Sequence, residues 1–93
     1  MSNGVERIAA ERQRQIDQKG WSLEHDQKHD GEELARAAAV YALPHDLRYK
    51  QVWNTNLRNM LRPDGWSIND SADRIRELEK AGALIAAEID RLL

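Results

Sequence analysis

Cysteine and phenylalanine are absent from the 93 residues, and proline occurs only twice. Without cysteine there is neither a disulfide framework nor a thiolate zinc site, which fits a reducing compartment. Without phenylalanine, and with only three Trp and two Tyr, a core has to be built from Ala, Leu, Ile and Val. That mix suits close-packed helices and disfavours a β architecture. No apolar run approaches the roughly 20 residues that span a bilayer, and the first residues, MSNGVERIAAERQRQ, carry charge where a signal peptide needs apolar side chains. A cytoplasmic chain without a membrane association is expected. The net charge is only −2 and no stretch gathers Lys and Arg into a basic stripe, so general nucleic-acid binding is not implied. Residues 1–93 form one domain, because so short a chain cannot supply apolar surface for two cores.

What is present is helical periodicity, clearest in DSADRIRELEKAGALIAAEIDRLL from Asp70 to Leu93. Ile75, Leu78, Gly82, Ile85, Ile89 and Leu92 follow at alternating spacings of three and four, which aligns them on one side of an α-helix as a core-facing seam. Ala81 to Ala87 carries no polar side chain, so those two turns are expected to be covered nearly all round. Asn69 or Asp70 is the expected cap.

A first helix is predicted over Val5 to Lys19, thinly apolar and stopped by Gly20. A second runs from Glu32 to about Leu43, capped by Asp30 with Glu33 in reciprocal arrangement and ended by Pro44. Its alanines allow close approach of another backbone, with Gly82 and the alanines of the last helix as the expected partner surface. Leu47, Trp53, Leu57, Met60 and Leu61 can be drawn as one side of a third helix, against the poor helix formers Tyr49, Asn54, Thr55, Asn56 and Asn59. Pro63-Asp64-Gly65 is a turn. The expected fold is therefore all-α, a compact bundle of three to four helices with a long C-terminal helix. A final helix of about 23 residues reaches about 35 Å, longer than the about 20 to 23 Å of the first two, so either the third helix or a second subunit must cover the excess. The heptad-like seam favours a homodimer.

The densest polar stretch is EHDQKHDGEE, residues 24–33. His25 and His29, four apart, would share a side of a helical segment, and Asp26 and Glu33 add carboxylates, giving a candidate divalent-metal site. The competing reading is caps and solvated charge, with a break at Asp30-Gly31 separating the two imidazoles. Trp21 and Trp66 flank turns, and Arg62, Arg74 and Arg76 lie near Trp66 in sequence; together they are the candidate surface for a partner or a small anionic ligand. Against this stands pairing of those arginines with neighbouring carboxylates. Glu33-Leu34-Ala35 faintly resembles the carboxylate helix of MazG-type all-α nucleotide pyrophosphohydrolases. Their Glu-x-x-Glu pattern is broken here by Arg36, and Glu77, Glu79, Glu88 and Asp90 include no pair three apart.

Glu11-Arg12-Gln13-Arg14-Gln15, Gly20-Trp21, Glu24-His25-Asp26, His29, Gly31-Glu32-Glu33-Leu34-Ala35, Tyr41-Ala42 and the run from Lys80 to Leu92 resemble, in order and spacing, small proteins encoded by tailed bacteriophages and prophages. The resemblance spans roughly residues 6–42 and 70–93 and leaves 45–66 uncovered. It implies a phage or prophage origin and a bacterial cytoplasm, and carries no catalytic residues. The expected function is a non-enzymatic binding or accessory protein that modulates a host protein or sequesters a small ligand. The alternative is a divalent-metal-dependent nucleotide phosphohydrolase of the all-α type.

Overall fold

The computed structural model describes residues 3–20 and 32–93. Five α-helices and one short hairpin follow in order among them: α1 (Gly4–Lys19), α2 (Glu33–Ala42), α3 (His45–Arg48), β1 (Gln51–Val52), β2 (Thr55–Asn56), α4 (Leu57–Leu61) and α5 (Arg74–Leu92). The mostly helical architecture and the long last helix agree with the sequence; the two-stranded ribbon does not follow from it.

α1 starts where its local chemistry says it should. Asn3 accepts from the Glu6 N–H, and the Glu6 carboxylate accepts from the Asn3 N–H, so two otherwise unpaired donors are satisfied. Gly20 ends the helix in the left-handed region at φ 69°, donating its N–H to the Gln15 carbonyl. α2 begins one residue later than expected, behind Glu32 at φ 64° and with no side-chain cap. Asp30, the expected cap, lies outside the described residues. Leu43 ends α2 in an extended conformation, and Pro44 follows.

The expected third helix is broken into three pieces. α3 is a single turn, and β1 and β2 then pair antiparallel, Gln51 with Asn56 and Val52 with Thr55. A two-residue connection of this kind needs left-handed backbone, and Trp53 supplies it at φ 56°. Asn56 caps α4 by accepting from the Asn59 N–H. Side chains of the Asn and Thr type compete with helix by bonding nearby backbone, and that competition prevails here over a weak apolar period.

α5 starts later than expected, at Arg74, because Asp73 accepts from the Arg76 N–H. It runs unbroken through Gly82. Its principal partner is α2: Leu34, Ala37, Ala38, Val40 and Tyr41 pack with Ala81, Leu84, Ala87 and the Ile68 side chain, with Leu61 and Trp66 against that core. α1 lies on another side of α5, where a Cβ on Gly82 would fall 2.6 Å from Ile8 Cδ1. Gly82 thus admits α1, not α2.

The seam is the main correction. The buried positions of α5 are Glu77, Ala81, Ala83, Leu84, Ala87 and Glu88. Ile75, Leu78, Ile85, Ile89 and Leu92 are each between 45% and 65% exposed. Two covering helices approach α5 through its small residues, since alanine and glycine permit backbone separations that a branched side chain would hold open. The larger aliphatics are left on the uncovered side, so the run Ala81 to Ala87 is shielded on two sides instead of all round.

Candidate functional site

Three features of the molecule carry chemistry: the outward seam of α5, a buried ionic cluster, and a cavity beside α1.

Along the seam, the exposed positions obey the a/d pattern of a helix pair, with Gly82 occupied by Ile8 from the chain's own first helix. A contiguous row of half-exposed aliphatics on one regular element is the usual mark of an interaction surface. Val5, one turn before Ile8, is exposed as well.

The ionic cluster ties the end of α2 to the start of α5. Arg48, almost wholly buried, donates through Nη1 to Glu77 Oε2 at 2.7 Å and to Asp70 Oδ1 at 3.2 Å. Its other nitrogens donate to the Leu43 and Tyr41 carbonyls at the end of α2. Glu77, fully buried, also receives the Ser71 N–H and lies 2.5 Å from His45 Nε2. Burial alone would raise the Glu77 pKa; the hydrogen bonds from Arg48, His45 and Ser71 outweigh it and hold the carboxyl near 2. Tyr49 Oη donates to Asp70 at 2.8 Å, and Arg58 donates to the same carboxylate at 3.1 Å. Both bonds favour the Asp70 anion over the opposing effect of burial, and its pKa falls. This cluster clamps the end of α2 to the start of α5.

The arginines singled out from sequence are not gathered into one anion pocket. Arg62 donates to the Trp66 carbonyl at 2.8 Å. Arg74 donates to the carbonyls of Tyr41, Ala42 and Leu43, the last acceptors of α2. Arg76 pairs with Glu11 at 2.6 Å and Glu79 at 3.2 Å. Arg62 therefore braces the turn before Trp66, Arg74 caps the end of α2, and Arg76 forms ion pairs between α5 and α1. Trp66 lines a cavity beside α1, whereas Arg76 lines a separate, shallower one on the other side of Glu11. Trp21 lies outside the described residues, as do His25, Asp26 and His29 of the candidate metal set. Glu33 stands in the first turn of α2. Among the described residues no three His, Asp or Glu side chains converge as metal ligands.

The cavity, of about 360 Å³, opens between α1, α5 and the 65–69 segment. Tyr41, Trp66, Ile68 and Leu84 form apolar walls; Glu11, Gln15, Arg14, Lys19 and Lys80 supply the polar groups. Glu11 is 3% exposed. Burial raises its pKa, but hydrogen bonds from Arg14 and Arg76 prevail and bring it to about 2. Lys80 Nζ sits 5.5 Å from the Tyr41 ring centroid, a cation over an aromatic face. Burial and the Arg76 charge lower its pKa. Gln15, 2% exposed, donates weakly to Glu11 at 3.4 Å while its Oε1 has no protein partner.

Glu11, Gln15, Lys80 and Arg48 were not distinguishable as site or hub residues in the sequence, where each stands among like charges on a helix. Only the thinness of the apolar side of α1 hinted that polar groups there would be drawn inward. No helix among the described residues is long and apolar enough to cross a membrane. Compared with known proteins, the chain matches no family model, no curated protein and no solved structure.

Proposed function

We propose that this chain is a small non-enzymatic binding protein of phage or prophage origin, acting in the bacterial cytoplasm as a homodimer that occupies a surface of a host protein. The observation that carries the reading is the aliphatic seam of α5, exposed on a helix whose other sides are packed. Its three-four spacing is that of a surface meant for another helix, and two copies related by a two-fold axis present the same row to each other. A chain this small gains most from such pairing, since its own core removes a modest share of its surface from water. The resemblance to small tailed-phage proteins fits a role exerted by contact. Sequestration of a small ligand is compatible with the same architecture.

The test is affinity capture from a bacterial lysate with the full chain as bait, in wild-type form and as Ile75→Asp/Ile89→Asp. A specific host protein retained by the wild type and released by an equally folded variant is the expected result. A wild-type bait that retains nothing beyond what the variant retains contradicts the accessory role.

A further inference from the structure

We propose that the tip of the β1–β2 hairpin is where this chain grips its host protein, with the Trp53 indole seated in an apolar pocket of that partner. The inference rests on the host-protein role and names the surface that exerts it. Trp53 is 86% exposed, whereas Trp66 packs against the core. Of the two turn residues, Trp53 and Asn54, only Trp53 is left-handed, at φ 56°, the position that glycine fills in a II′ turn. A bulky side chain there crowds its own backbone, and strain of this kind gathers at sites of function. The chain thus bears a strained backbone and an indole in water, and its own core gains from neither. Both are intelligible where a partner covers the ring.

The mount is firm. Gln51 Nε2 donates to the Trp53 carbonyl at 3.1 Å, and the Leu57 N–H donates to the Lys50 carbonyl at 3.3 Å, so the hairpin is braced at its tip and tied to α4 at its base. Tyr49 Oη, just before the hairpin, donates to Asp70 of the ionic cluster. An anchor held in place before contact loses less freedom on binding. The neighbours specify the occupant. Lys50, Gln51 and Asn54 are polar and exposed, so the tip offers one large ring among polar side chains. That is too little apolar surface to enter a bilayer, and it matches the anatomy of a protein contact, an aromatic centre within a polar rim. A net charge of −2 gives the phosphates of a nucleic acid no general attraction. The indole N–H and the Asn54 amide call for carbonyl or carboxylate acceptors at the edge of the pocket.

The test passes bacterial lysate over the immobilised full chain and then titrates each retained, purified protein against the wild type, Trp53→Gly, Trp53→Asn and Trp53→Phe. Glycine and asparagine both suit left-handed backbone, so these variants keep the turn and remove the ring. Each is expected to weaken the retained protein about thirtyfold or more, and Trp53→Phe to weaken it less. Both are also expected to have a Tm equal to or above that of the wild type, a combination that a structural Trp53 would not produce. A Tm lowered in both variants, or a retained protein whose Kd neither variant changes, would overturn the proposal. So would a single-stranded oligonucleotide or phospholipid vesicles bound by the wild type and lost with Trp53→Asn, since the tip would then serve another occupant. A protein released by Ile75→Asp/Ile89→Asp but held unchanged by Trp53→Gly and Trp53→Asn overturns this inference alone. A wild type that retains no protein overturns the host-protein role with it.

Discussion

The two sides of α5 invert the usual relation between size and burial. The side against α1 and α2 is built from Ala81, Ala83, Ala87, Leu84 and two glutamates, whereas the open side carries Ile75, Leu78, Ile85, Ile89 and Leu92. Close backbone approach selects small residues for the internal contact, and the two buried glutamates are admitted because arginines meet them. Glu77 meets Arg48, and Glu88 meets Arg91 at 2.5 Å. The lesson is that an apolar period locates a face without saying whether its own chain covers it.

The comparison is broken most forcefully on the inner side. Glu77→Ala removes the shorter and more deeply buried of the two carboxylate contacts of Arg48 and leaves it only the partly exposed Asp70, and a loss of about 3 kcal/mol is expected in urea denaturation, a large share of the stability of a domain of this size. Glu77→Gln, which keeps one acceptor for Arg48 and the Ser71 N–H, is expected to be milder. Acid attacks the same contact. Glu77 and Glu11 have folded-state pKa values near 2, below their ordinary 4.5, so the stability they contribute is complete above about pH 5 and lost as pH falls through the folded values. The urea midpoint should be flat from pH 7 to about 5 and decline steadily from there toward pH 2. A midpoint that rises on acidification would contradict the cluster.

A smaller effect is expected at Gly82. Alanine there gains about 1 kcal/mol of helix propensity but collides with Ile8, and a net loss of about 1 kcal/mol is expected. Ile8→Ala should remove the collision, so the double variant is expected to be more stable than the sum of the two single changes implies. Smallest of all, Ile89→Ser should change the stability of the single chain by about 0.5 kcal/mol or less, since half of that side chain is already in water.

How much of this was legible in the sequence depended on the distance over which each decision is made. The ends of α1 follow from neighbours within five residues, Asn3 with Glu6 and Gln15 with Gly20, and Val5 to Lys19 was read within one residue. The break of 45–61 was also written locally, in Asn54, Thr55, Asn56 and Asn59, but a plausible apolar period obscured it. The role of Arg48 was not legible, because Glu77 stands 29 positions away and no short-range pattern links them. Nor was the cavity: Glu11 and Gln15 of α1 meet Lys80 of α5 and Trp66 only after the helices pack. The orientation of the seam was lost to the assumption that the bulkiest apolar residues turn inward.

Sedimentation equilibrium of the full chain at neutral pH tests the outward seam most directly. The account predicts a mass of twice 10.7 kDa at micromolar concentration for the wild type, and 10.7 kDa with an unchanged circular dichroism spectrum for Ile85→Asp. A wild-type chain that sediments as a single copy at every concentration, or an Ile85→Asp chain that unfolds, would contradict it.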